Sequence, residues 1–169
     1  MKHIQNLLFS VALTIVVGSC ESAQKNSTDL KAPAIIPQPE KVQLTAGTFT
    51  IKNSTAVYCN DSGLLPIANF LNSKISSALG FSLPTSTGSG KGINLVIVEQ
   101  TDENLGEEGY KISVTSTDIK ISANKANGIF YGVQTLIQLL PPEIKSKTVL
   151  ANMDWTVPCV EIEDRPRFP

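Results

Sequence analysis

The sequence predicts an α+β domain, a mostly antiparallel sheet with two helices packed on one face. Three observations predict it. Between Ile35 and Pro169 the apolar period switches repeatedly between two and about 3.6 residues. Strand-like runs outnumber helical ones, and two of them, from Tyr110 to Val114 and from Ile119 to Ser122, are separated by a short polar turn and read as a β-hairpin. Only two stretches, 61–80 and 125–140, carry the stripe of an amphipathic helix. Elements with one apolar face each bury those faces by stacking helices on a sheet.

The elements follow in order. Phe49 and Ile51 alternate with Thr48, Thr50 and Lys52, giving a first half-buried strand after a turn at Ala46-Gly47. A second strand runs from Thr55 to Cys59. Asp61 or Ser62 then caps a helix whose Leu64, Ile67, Ala68, Leu71, Ile75 and Leu79 share one face. Pro66 fits only its first turn, and Gly80 is placed to end it. The segment from Pro84 to Gly92 reads as a loop. Gly92 to Glu99 is nearly continuous aliphatic, with Ile93, Leu95 and Ile97 on one side and Val96 and Val98 on the other. Such a strand is expected at the centre of the sheet, covered on both faces. In the hairpin, Tyr110, Ile112 and Val114 alternate with Lys111 and Ser113, and Ile119 and Ile121 follow the Ser116-Thr117-Asp118 turn. From about Lys125, Ile129, Val133, Leu136, Ile137 and Leu140 form a second helical stripe that Pro141-Pro142 stops. A last strand is expected around Thr156 to Ile162.

Size and charge exclude several function classes. A (β/α)₈ barrel needs about 250 residues, and this chain has 169. With 14 basic and 15 acidic residues the net charge is −1, which gives no electrostatic reason to expect nucleic acid as a partner. The single His, His3, leaves the body of the chain without a Ser-His-Asp or Cys-His site and without a multi-His metal cluster.

The N-terminus reads as a targeting segment. Met1, Lys2 and His3 precede an apolar run from Leu7 to Val17, too short at about 1.5 Å per residue to cross a hydrocarbon core of about 30 Å. The junction Val17-Gly18-Ser19-Cys20 is similar to the lipobox of bacterial lipoproteins. It predicts a signal peptide over 1–19, lipid attachment at Cys20, and an exported protein held to a membrane on the periplasmic side or the cell surface. Residues 20–34 are polar and form a tether, 35–163 form the folded domain, and 164–169 begin a connector. The remaining cysteines, Cys59 and Cys159, are either a disulfide pair or two buried thiols, and their apolar, strand-like surroundings favour thiols.

No residue pattern in the chain assigns a catalytic, cofactor-binding or metal-binding residue. Gly88-Ser89-Gly90-Lys91-Gly92 lacks the spacing of a phosphate loop and leads into a strand instead of a helix. Asp102-Glu103 is the one adjacent acid pair that invites an acid-catalysis reading, but it lies in a polar loop with nothing to shield it. Tyr58, Tyr110, Tyr131 and Trp155 fall in strands and a helix where packing is the simpler role than a sugar platform.

Three stretches together resemble the N-terminal domain of the β-N-acetylhexosaminidases of glycoside hydrolase family 20. They are Ile35-Ile36-Pro37-Gln38-Pro39 with Gly47-Thr48-Phe49, the helix from Gly128 to Leu140 (GIFYGVQTLIQLL), and the ending from Val160 to Pro169 (VEIEDRPRFP). The resemblance implies an accessory domain whose partner is its own catalytic barrel, absent here, and whose glycan substrate is met only through that barrel. It also implies substrate-assisted, retaining removal of terminal GlcNAc or GalNAc there, so that this chain is a non-catalytic fragment. Arg165 and Arg167, the only arginines, are expected to make interdomain contacts with the barrel. Two other readings fit the same residues: a complete small lipoprotein that binds glycan or protein without catalysis, and the equivalent domain of an O-GlcNAc hydrolase or α-glucuronidase.

Overall fold

The computed structural model describes residues 33–166. Seven strands form one sheet: β1 (Lys41–Thr50), β2 (Ala56–Cys59), β3 (Thr85–Thr87), β4 (Gly92–Ile97), β5 (Tyr110–Val114), β6 (Ile119–Ala123) and β7 (Thr156–Asp164). Helix α1 (Leu65–Leu79) lies between β2 and β3, and α2 (Ala126–Leu139) between β6 and β7. The order across the sheet is β1-β7-β5-β6-β4-β2-β3. Both helices pack on one face and touch each other, with the rings of Phe70 and Phe130 5.1 Å apart. The α+β class therefore stands.

The sheet differs from the expectation in being evenly mixed. The β1-β7-β5-β6 half is antiparallel, as the hairpin foretold, while β6-β4-β2-β3 is parallel throughout. The physical reason is the helix between β2 and β4, which carries the chain back to its starting edge so that the next strand runs the same way. Strand β4 lies off centre, between β6 and β2, and the centre is β6. Its Ile93 and Leu95 are buried against the helices, but Asn94 and Val96 on the opposite face are only half-buried, so that face is open.

Local chemistry sets the element ends. The Asp61 carboxylate accepts from the Gly63 N–H at 2.7 Å and starts a 3₁₀ turn over Ser62–Leu64 that leads into α1, with Pro66 in the first turn. Gly80 ends α1 in the left-handed region at φ 81°. Ala46-Gly47 is a bulge inside β1 in place of a turn before it, and the register against β7 shifts there between Leu44 and Thr48. The Pro84 to Gly92 loop holds the short β3, then crosses back over the open face with Gly90 on the Tyr58 ring. Asn94 pins that crossing by accepting from the Gly90 N–H at 3.2 Å and donating to its carbonyl at 2.9 Å. The buried layer between sheet and helices contains Val57, Leu71, Ile75, Leu95, Ile121, Ile129 and Leu136, each fully enclosed. No helix among the described residues is long and apolar enough to cross a membrane.

Candidate functional site

The site is built by α2 and the two ends of the described chain. Gly128 and Gly132 let α2 settle onto the sheet: a Cβ at Gly132 would run into the Ile121 side chain, and one at Gly128 into the Gly109 carbonyl. That close approach turns Tyr131, Gln134 and Gln138 toward the segment that leads into β1. Beneath them lies Tyr110, whose hydroxyl is 2.6 Å from Thr135 Oγ1 and 3.4 Å from Asp164 Oδ2. Burial pushes the Tyr110 hydroxyl up to about 12. It is a neutral hydrogen-bonding group throughout the physiological range.

The leading segment and the end of β7 are stitched together. The Ile36 N–H donates to Gln138 Oε1 at 3.0 Å, and the Glu40 N–H donates to Asp164 Oδ1 at 3.1 Å. Arg165 grips Glu40 with both arms of its fork, Nε at 2.8 Å and Nη2 at 3.3 Å, and its Nη1 donates to the Asn104 carbonyl at 3.1 Å. Below this, Lys41 pairs with Glu163 at 2.7 Å, and Lys111 reaches Asp102 at 2.6 Å and Glu163 at 3.8 Å. The Lys111 hydrogen bond holds the Asp102 carboxyl below its usual value, and the one from Lys41 does the same for Glu163. Asn124 fastens the intervening loop: its Oδ1 accepts from the Asp102 N–H, and its Nδ2 donates to the Asp102 and Gly106 carbonyls at 2.8 and 2.7 Å.

These contacts frame a groove of about 550 Å³. Its walls are apolar at Ile36, Pro37, Tyr131 and Pro166, with Gln134, Gln138 and Glu108 at its margins. Ile36 is 80% exposed and Tyr131 43%. The groove offers an aromatic face, amides and two carboxylates, Glu108 and Asp164, neither in an ion pair among the described residues, and Asp164 accepts from the Glu40 N–H. The neutral Tyr110 phenol and the Asp164 carboxylate engaged by the Glu40 N–H suit packing and recognition; they do not form a poised acid and base. Among the described residues no group of three or more potential ligands could hold a metal.

The structure sorts the residues singled out from sequence. Cys59 on β2 and Cys159 on β7 are free buried thiols. A disulfide is ruled out because three strands separate β2 from β7, four steps of about 4.8 Å or about 19 Å, against the roughly 7 Å that a bridge can span. Arg165, read as a barrel contact, spends its fork on Glu40 and Asn104 within the domain. Arg167, Cys20, the signal peptide over 1–19 and most of the tether lie outside the described residues. Asp102 is no free loop carboxylate but the partner of Lys111. Tyr110 and Trp155 are buried, as a packing role requires, whereas Tyr131 stands half-exposed in the groove. Sequence reasoning missed the groove itself. Its signal was the stripe Tyr131, Gln134, Gln138, three and four residues apart on one flank of the second helix.

The family model described as glycosyl hydrolase family 20, domain 2, matches residues 32–165. A β-hexosaminidase from Porphyromonas gingivalis is 34% identical over 135 residues, which is 79% of this chain and 17% of that protein. A lacto-N-biosidase from Bifidobacterium bifidum is 28% identical over 66% of this chain and 10% of its own length. Among solved structures, the family 20 β-N-acetylhexosaminidase of Streptomyces coelicolor aligns with a TM-score of 0.72 at 33% identity, covering 79% of this chain and 26% of that one. The β-N-acetylhexosaminidase of Bacteroides fragilis, 24% identical with a TM-score of 0.58, shares the fold. The chain thus spans about a sixth of the first curated relative and a quarter of the first solved one. On the family match over most of its length, the chain belongs to glycosyl hydrolase family 20, as that family's domain 2.

Proposed function

We propose that this chain serves as the non-catalytic accessory domain of an exo-β-N-acetylhexosaminidase, supporting a (β/α)₈ barrel that removes terminal GlcNAc or GalNAc from glycans. The observation that carries the reading is the alignment with hexosaminidases in which this domain is only a quarter of the chain. The groove supports it, because Asp164 is held by the Glu40 N–H and Tyr110 is a neutral phenol, so the two do not form a poised acid and base. In the barrel, the substrate's own 2-acetamido oxygen would attack the anomeric carbon while a carboxylic acid protonates the leaving oxygen. The test compares two proteins on an aryl N-acetylglucosaminide. Purified residues 20–169 should show no turnover, and the same chain continued through the polypeptide that follows Pro169 should hydrolyse it. Turnover by 20–169 alone would refute the assignment.

We also propose that Cys20 is acylated after removal of 1–19, so that the enzyme is a membrane-anchored, exported lipoprotein. The Val17-Gly18-Ser19-Cys20 junction supports this. Two or more acyl chains give stable anchoring where one is marginal.

A further inference from the structure

One dipeptide of the chain is chemically labile, and the fold leaves it open to reaction. Asn127-Gly128 is the only asparagine followed by glycine in the sequence. An asparagine loses its amide when the next residue's backbone nitrogen attacks the side-chain carbonyl carbon, and a glycine there has no side chain to obstruct the approach. The structure separates this asparagine from others in the domain. Asn60, Asn72, Asn94 and Asn124 each hold backbone groups with both atoms of their amides. Asn127 is exposed on the first turn of α2, and its side chain makes no hydrogen bond among the described residues.

That turn is the least secured part of the helix. Its N-cap is Lys125, whose side chain makes no capping bond, and no acidic residue lies in the turn. The first helical bond runs from the Ile129 N–H to the Lys125 carbonyl and is long at 3.3 Å. Gly128 precedes it, so its nitrogen gives up no helical bond when it moves. Packing requires the glycine all the same, because a Cβ at Gly128 would run into the Gly109 carbonyl and the Ala123 methyl. The residue that seats α2 on the sheet is the one that exposes its neighbour to attack.

We propose that Asn127-Gly128 is a site of self-modification, at which the folded protein deamidates through opening of the first turn of α2. The Gly128 nitrogen, its proton lost to hydroxide, bonds to Asn127 Cγ; the Cγ–Nδ2 bond breaks, ammonia leaves and a cyclic imide closes. Water then opens the imide on either side of the shared nitrogen. Opening at Cγ gives aspartate at 127, a carboxylate where a helix N-terminus favours one. Opening at the main-chain carbonyl gives isoaspartate, whose backbone is one atom longer and lifts Gly128 from its seat against Gly109. The two products act on the start of α2 in opposite directions. The reaction takes only water, and it does not depend on the hydrolase reading above.

The experiment incubates the folded full-length protein in mildly alkaline buffer and digests samples with pepsin in acid, where the imide does not form. Mass spectrometry reads the amide-to-acid mass gain at each asparagine, and labelling by an isoaspartyl methyltransferase reads the isoaspartate. Asn127 should convert to both products while Asn60, Asn72, Asn94 and Asn124 keep their amides. Lys125→Ser supplies the missing cap and should slow the conversion about fivefold. Asn127→Gln should abolish both signals. An amide at 127 that is lost only after unfolding in urea would overturn the proposal, because the lability would then belong to the sequence and not to the folded protein. So would an equal rate in Lys125→Ser and wild type, since opening of the first turn would not be the route.

Discussion

Gly132 decides how deep α2 sits, and with it whether Tyr110 and Thr135 meet. A methyl group there would strike Ile121, which is fully buried in the sheet. Gly132→Ala is therefore expected to destabilise the domain by about 1–3 kcal/mol, read as a lower urea midpoint with the same slope. Tyr110 adds a pH dependence whose sign follows from its burial. In the unfolded chain the phenol ionises near 10, and in the folded protein near 12. Between these values the unfolded state has lost a proton that the folded state keeps, so stability is complete below pH 10 and falls as pH rises toward 12. Tyr110→Phe should flatten that alkaline decline while costing about 1 kcal/mol at neutral pH through the lost Thr135 bond. An unchanged pH profile for the variant would show that another group governs it.

At the level of elements, the loop from Gln100 to Gly109 owes its shape to one side chain. Asn124 makes three hydrogen bonds to it, and Asn124→Ala should cost about 1–3 kcal/mol and speed hydrogen exchange at the Asp102 amide most of all. The junction of the leading segment with β7 should show the opposite kind of sensitivity. Glu40 and Arg165 are partly exposed, so their coupling in a double-mutant cycle is expected to shrink as salt is raised, and Glu40→Arg with Arg165→Glu should restore part of it. These elements also show what could be read from sequence. Both helices and the hairpin were legible because each writes its own period over ten or more residues. Strand β3 was not, since Thr85-Ser86-Thr87 is three polar residues inside a Pro/Gly/Ser stretch and exists only because β2 offers an edge. Nor could Ala46-Gly47 be told from a turn, because a bulge and a turn use the same residues and only pairing with β7 separates them. The groove escaped for a related reason. Gln134 and Gln138 look like the wet side of a helix until Ile36 is seen hydrogen-bonded to one of them.

For the whole molecule, the lipid proposal gives a direct prediction. Cys20→Ser should abolish incorporation of labelled palmitate and release the protein from the membrane fraction, and retained label would defeat it. The sheet topology has a broader consequence. Lys41 opens the first strand directly opposite Glu163 at the end of the last, and the two side chains meet although 122 positions separate them along the chain. Neighbouring strands place such residues about 5 Å apart. The backbone therefore makes a long excursion and returns almost to its point of departure. For the segments on either side, the whole unit is a detour that adds mass without adding distance. Such a unit can be grafted into a loop of another protein, or cut out and replaced by a few residues, with little change in where its neighbours stand.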